Sequence, residues 1–249
     1  MPGQPSTHAR ARFEGFDPAA LQFLADLADN NSRDWFKPRK ADYDRLVKAP
    51  MEALCVALAE RFGALDLPLR ADPAKSLFRI YRDTRFSKDK TPYKTWQGAS
   101  FPWVGERSES GEGSEGGRGT EGGRGGPGGV GGYFHLAPGD LFLGGGMWHP
   151  GKERLAAFRA LIDRDPSAVF KAVEDDRFAS VFESVTGDRL TRNPQGYAKD
   201  HPYSSYLRLK DVVFMRRLSD DDVASPELPD LIARDLDAAR PVFRLLASL

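Results

Sequence analysis

The sequence is short of cysteine, of net charge and of long apolar runs, and each shortage removes a class of protein. Cys55 is the only cysteine in 249 residues, so no internal disulfide can form and a reducing compartment fits. It lies in the apolar run MEALCVALAERF, which suits an inert buried thiol rather than a nucleophile. The 36 basic and 36 acidic side chains cancel, so bulk charge gives no general attraction to nucleic acid or membrane. Electrostatic specificity must therefore come from local clustering. Nothing approaches the roughly 18 consecutive apolar residues of a membrane span, and the opening MPGQPSTHARAR lacks an apolar signal core. No membrane partner is expected, and the cytoplasm is the simplest location.

What is present reads first as helix. Asp17-Pro18 is an N-cap followed by proline at the first helical position, and Leu21, Leu24, Leu27 and Ala28 keep helical spacing. Asn30-Asn31 is expected to end that helix through an αL C-cap. Helical stretches follow at 32–48 and 51–62, with Pro50 at their junction as a break or kink. Later helices are expected at 152–163, from Pro166 to Val173, and across a closing region that Ser219 caps.

From Ser76 the pattern changes. Residues 77–82 alternate, Phe78 and Ile80 facing one way and Arg79 and Tyr81 the other, as in a half-buried strand. Further strands are expected at 93–103, 133–136, 141–143 and 212–218. No helix-sized crossover is expected between consecutive strands, which favours antiparallel pairing. The expected fold class is α+β, with about five antiparallel strands mid-chain, packed by N-terminal and C-terminal helices. The expected organisation is a flexible segment 1–12 and a single domain 13–249, interrupted by a disordered insertion at 105–132. Fourteen of the insertion's 28 residues are glycine and only Val130 is a bulky hydrophobe, too little apolar surface to offset ordering entropy. Its Gly-Gly-Arg-Gly repeats resemble RNA-binding tracts, but glutamates interrupt them, and a linker expansion is the simpler reading.

The segment richest in chemistry is Phe78–Thr95 (FRIYRDTRFSKDKTPYKT). This run resembles the signature of a family of conserved hypothetical proteins, the domain-of-unknown-function 2461 family. Other matching pieces are Phe13-Glu-Gly-Phe16, Asn30–Phe36 (NNSRDWF), Gly144–Pro150 (GGGMWHP), Asp200-His-Pro202 and Leu207-Arg-Leu-Lys210. The resemblance spans nearly the whole chain and carries no activity with it.

Arg79, Arg82, Arg85, Lys88, Lys90 and Lys94 face only Asp83 and Asp89 in sequence, a local excess of four positive charges. Like charges about 4 Å apart repel by roughly 1 kcal/mol even in water, so something must compensate. Two answers stand side by side: carboxylates from elsewhere in the chain, or a bound anion gripped by arginine forks. The candidate ligand-binding set is Arg79, Arg82, Asp83, Arg85, Lys88, Lys90, Tyr93 and Lys94. His201 and Arg208, from a second basic and aromatic stretch at 189–210, complete a single positive cleft if the two stretches lie together. The expected partner is an anionic ligand, phosphate-bearing or nucleic acid. The rivals are an enzyme using Asp83, Asp89, His149 or His201 for proton transfer, and an internally paired ionic array. His135, His149 and His201 lack metal-ligand spacing. Ser87-Lys88-Asp89-Lys90 matches a Ser-x-x-Lys motif without the helix start that chemistry needs. Neither a metal nor a cofactor is expected.

Overall fold

The computed structural model describes residues 12–85, 87–104 and 129–249. The proposed flexible N-terminus up to residue 11, Phe86, and most of the glycine-rich insertion lie outside the described residues.

Helix α1 (Pro18–Asp29) begins where the Asp17 side chain accepts from the Ala19 N–H. Its end differs from the expectation. Asn30 is not in the αL region; its side-chain amide donates to the Asp26 carbonyl at 2.9 Å and closes the helix that way. The chain is then helical almost without pause: α2 (Arg33–Phe36), a 3₁₀ turn (Lys37–Arg39), α3 (Lys40–Tyr43), a π turn (Asp44–Lys48) and α4 (Ala49–Ala64). Pro50 therefore does not break the helix. Proline in a helix collides with the carbonyl four residues back, and the wider π turn just before α4 takes up that conflict. A short α5 (Pro73–Ser76) leads to the sheet.

The sheet has four strands in sequence order, all antiparallel: β1 (Gln97–Pro102), β2 (Val130–Leu136), β3 (Phe142–Met147) and β4 (Val212–Arg217). The fifth expected strand, at 77–82, is absent as such. Leu77 and Tyr81 make single bridges to Ala99 and Tyr93. The backbone between them lets Leu77 and Ile80 turn toward the core while Phe78 joins rings outside it. Strict alternation fails there because the segment meets β1 at one point instead of along a ladder.

Between β3 and β4 run α6 (Lys152–Arg164), α7 (Pro166–Val173), α8 (Asp176–Phe182) and α9 (Ser204–Leu207). After β4 come α10 (Asp220–Ala224), α11 (Leu228–Ala238) and α12 (Arg240–Ala247), the first opened by a Ser219–Asp222 capping box. Ala99, Phe101, Phe134, Leu143 and Phe214 point toward these helices and are fully or almost fully buried. Phe214 meets Phe178 of α8 and Phe243 of α12 edge-on at 5.3 Å each. Cys55 is buried in the same core, and burial pushes its thiol up to about 12, which removes it as a nucleophile at neutral pH. Within β3, Gly146 adopts φ +115, and a Cβ there would come within 2.3 Å of the Val212 carbonyl oxygen. Gly146 thus holds a backbone conformation that L side chains rarely adopt, at a close approach of β3 to β4. No helix of the described residues is long and apolar enough to cross a membrane.

Candidate functional site

The segment 77–96 folds back on itself outside the β1 edge of the sheet. Arg82 N–H donates to Pro92 O and Lys94 N–H to Ile80 O, closing a polar loop between them. Inside the loop the charges sort by proximity. Arg85 forks onto Asp83 at 2.6 and 3.0 Å. Arg82 pairs with Asp89 and with the Thr91 hydroxyl. Asp83 is drawn down to about 2, chiefly by its hydrogen bonds from Arg85. Asp89 is also held at about 2, first by the Thr91 N–H and then by Arg82. Both local carboxylates are therefore occupied. Lys90 donates to the Thr84 carbonyl at 2.8 Å, and the described residues give no ion pair to Arg79, Lys88 or Lys90. Lys94 is buried; its ammonium donates to the Arg79 carbonyl at 3.2 Å and stands over the Phe78 and Trp96 rings at 5.5 and 4.9 Å. Tyr93 is buried as well, so it supports the surface instead of lining it.

The structure also brings in residues that sequence reasoning left aside. The Asn31 side chain pairs with the Tyr93 backbone like a neighbouring peptide, its amide donating to Tyr93 O at 2.9 Å and its oxygen accepting from Tyr93 N–H at 3.1 Å. Phe36 stacks on Tyr93 at 4.1 Å and meets Tyr81 edge-on at 6.5 Å. The stretch Asn31–Lys40 is thereby docked against the 77–96 segment. Arg33, Lys37 and Arg39 come with it, all exposed and without an ion pair among the described residues. Arg39 lies over the Trp35 ring at 4.7 Å and donates to the Trp35 carbonyl. Lys40 pairs with Asp44. A usable signal was present: Arg33 and Lys37 are four residues apart, and that spacing puts two side chains on one helical face. Residues 31–45 and 79–94 together hold eleven cations and five carboxylates, an excess of six. The chain as a whole is neutral, so the rest carries the opposite excess.

His201 and Arg208 are not part of this surface. Thr186 bridges Val213 on the β4 edge, and Arg189 bridges Leu209, so the 189–210 stretch belongs to the edge opposite β1. The expected single cleft does not form, because the whole width of the sheet separates its halves. His201 is consumed locally: Nε2 lies 3.1 Å from Asp163 and Nδ1 accepts from the Tyr203 N–H. Arg208 donates to the Ser204 carbonyl within its own helical turn. His149 sits at φ +47 with its N–H on the buried Asp211 at 2.6 Å. No group of three metal-ligating side chains occurs among the described residues.

One buried titratable cluster lies on the sheet face turned away from the helices. Tyr133 Oη and His135 Nδ1 are 2.8 Å apart, and His135 stacks on Phe142 at 4.7 Å. Burial lowers the His135 pKa, with smaller opposed effects from Asp140, which raises it, and Arg217, which lowers it. The unfolded chain thus takes up a proton that the folded one resists. The associated stability is complete above the ordinary histidine value of about 6.5 and is lost as pH falls below it. Thermal melts of the intact protein are expected to decline from about pH 7 to about pH 5, with a shallower decline in His135→Gln. Equal slopes in the two proteins would remove His135 as the cause.

A comparison with protein-family models matches residues 19–244 to the conserved hypothetical protein family DUF2461. No curated protein and no solved structure matches the chain. The matched span takes in α1, all four strands and most of α12, together with both segments of the basic surface: the chain belongs to the DUF2461 family.

Proposed function

We propose that the protein binds a phosphate-bearing anion at the surface formed by Asn31–Lys40 and Arg79–Lys94. One observation carries the reading. Asp83 and Asp89 are both taken, by Arg85 and Arg82, and Arg79, Lys88 and Lys90 are left without an ion pair beside Arg33, Lys37 and Arg39. An internally neutral array would need a carboxylate for each cation, and six cations of this surface have no ion pair among the described residues. An enzyme using the same surface would need an acid or base there. Asp83 and Asp89 are engaged by Arg85 and Arg82 and held near 2, which makes both weak proton acceptors. Binding is therefore the function favoured here, with the cytoplasm as its compartment.

The test is direct titration of the full chain with inorganic pyrophosphate, mononucleotides and oligonucleotides at low salt. Charge reversal by Arg79→Glu with Lys88→Glu is expected to weaken binding at least about tenfold, each lost charge-assisted contact contributing around 1 kcal/mol. Both side chains are exposed, so the fold should survive, as far-UV circular dichroism would show. Unchanged affinity, or no binding of any of these ligands by the unaltered protein, would overturn the reading.

A further inference from the structure

We infer that the ligand of this surface is a single-stranded nucleic acid, with Tyr81 as the platform on which one base stacks. The inference rests on the anion-binding reading above and narrows it to a polymer. Small phosphate ligands are held in concave sites by a few convergent polar groups. Here Arg33, Lys37, Arg39, Arg79, Lys88 and Lys90 are spread over two chain segments, and all are exposed. Arg33 to Lys40 alone covers about 10 Å of helical rise. Dispersed exposed cations suit a chain of phosphates, which binds by releasing its condensed counterions.

The second observation is Tyr81 itself. Among the described residues it is one of four large hydrophobic side chains left exposed, at 49 %. Its ring is tilted against Tyr93 at 5.4 Å and edge-on to Phe36 at 6.5 Å, and those two are buried and stacked on each other. Tyr81 is thus braced from below by packed rings and open above. Stacking on a ring already held in place costs little further side-chain ordering. An aromatic face among backbone-binding cations accepts any unpaired base, because every base has a π face. A duplex keeps its bases inside and offers only phosphates. The arrangement therefore favours single strands without strong sequence preference.

The experiment measures fluorescence anisotropy of a labelled single strand of about 12 nucleotides with the full protein. The corresponding duplex and a mononucleotide serve as competitors. The single strand should bind at least about tenfold more tightly than either competitor. Neutralising about five phosphates would give a slope of roughly −3.5 for log affinity against log salt. Arg79→Glu with Lys88→Glu should remove about two of those contacts and flatten the slope by roughly 1.4. Tyr81→Ala should weaken the single strand about tenfold with the slope unchanged, and Tyr81→Phe should restore binding, since only the ring stacks. A duplex that competes equally, or a Tyr81→Ala protein that binds as before, overturns the inference. A mononucleotide that binds as tightly as the oligonucleotide also overturns it while leaving anion binding intact. If no phosphate ligand binds, both readings fall.

Discussion

Gly15→Ala is expected to lower the unfolding midpoint by roughly 6–12 °C, about 3 kcal/mol at some 2–4 °C per kcal/mol for a chain of this size. Gly15 adopts φ +95, and a Cβ built there lies 2.0 Å from the Ala224 carbonyl oxygen. The φ alone costs a non-glycine residue on the order of 1–3 kcal/mol. The clash is with backbone, so no rotamer relieves it, and the N-terminal loop must move away from α10. That movement strains the 2.9 Å hydrogen bond from Phe16 N–H to Val223 O. It also loosens Phe13 and Phe16, both buried, the latter stacked on Phe134 at 6.0 Å. Gly63→Ala supplies the contrast. Gly63 lies in α4 with nothing within 4 Å of the added methyl, so it should gain about 0.5–1 kcal/mol from reduced backbone freedom. If Gly15→Ala melts like the parent, the docking of the N-terminal loop on α10 does not contribute as argued.

The parts of the fold legible in the sequence are those fixed by local patterns. The Asp17-Pro18 start, the helix at 152–163 and the Ser219 cap are read from a few adjacent residues, and each occurs as expected. The antiparallel pairing occurs as expected, but the absence of crossovers accounts for it only from β1 to β3, because α6 to α9 separate β3 from β4 and the pairing there is antiparallel all the same. Pro50 misled because its cost is absorbed by a π turn that leaves no mark on sequence spacing. The strand expected at 77–82 misled because alternation cannot report whether a partner runs alongside for six residues or only touches at one. The proposed binding surface divides the same way. Its charge excess at Arg79–Lys94 is local and could be counted. The contribution of Arg33, Lys37 and Arg39 depends on a contact between Asn31 and Tyr93, 62 residues apart, and spacing alone cannot supply that. For the same reason His201 and Arg208 were included on composition and excluded by strand order.

Asn31→Ala tests that long-range contact, and its expected effect reaches both stability and binding. The side-chain amide satisfies one donor and one acceptor of the Tyr93 peptide, and Tyr93 is buried. Truncation leaves both groups without their partner at roughly 1–2 kcal/mol each. A fall in midpoint of about 4–16 °C follows. Asn31→Asp is a sharper probe than alanine, because it keeps the size and the acceptor but turns an oxygen toward the Tyr93 carbonyl, where a donor is needed. It should destabilise at least as much. Hydrogen exchange locates the effect: the Tyr93 amide should exchange faster in both variants, whereas amides in β2 and β3 should change only through global stability. The Asn31 side chain touches no proposed ligand group, yet it ties the segment carrying Arg33 and Lys37 to the segment carrying Arg79 and Lys88. Weaker anion binding at a temperature where the variant remains folded would therefore be a positioning effect. Intact Tyr93 protection together with an unchanged melt would mean that the two basic segments are not held together by this pair, and the surface would then have to be treated as two separate patches.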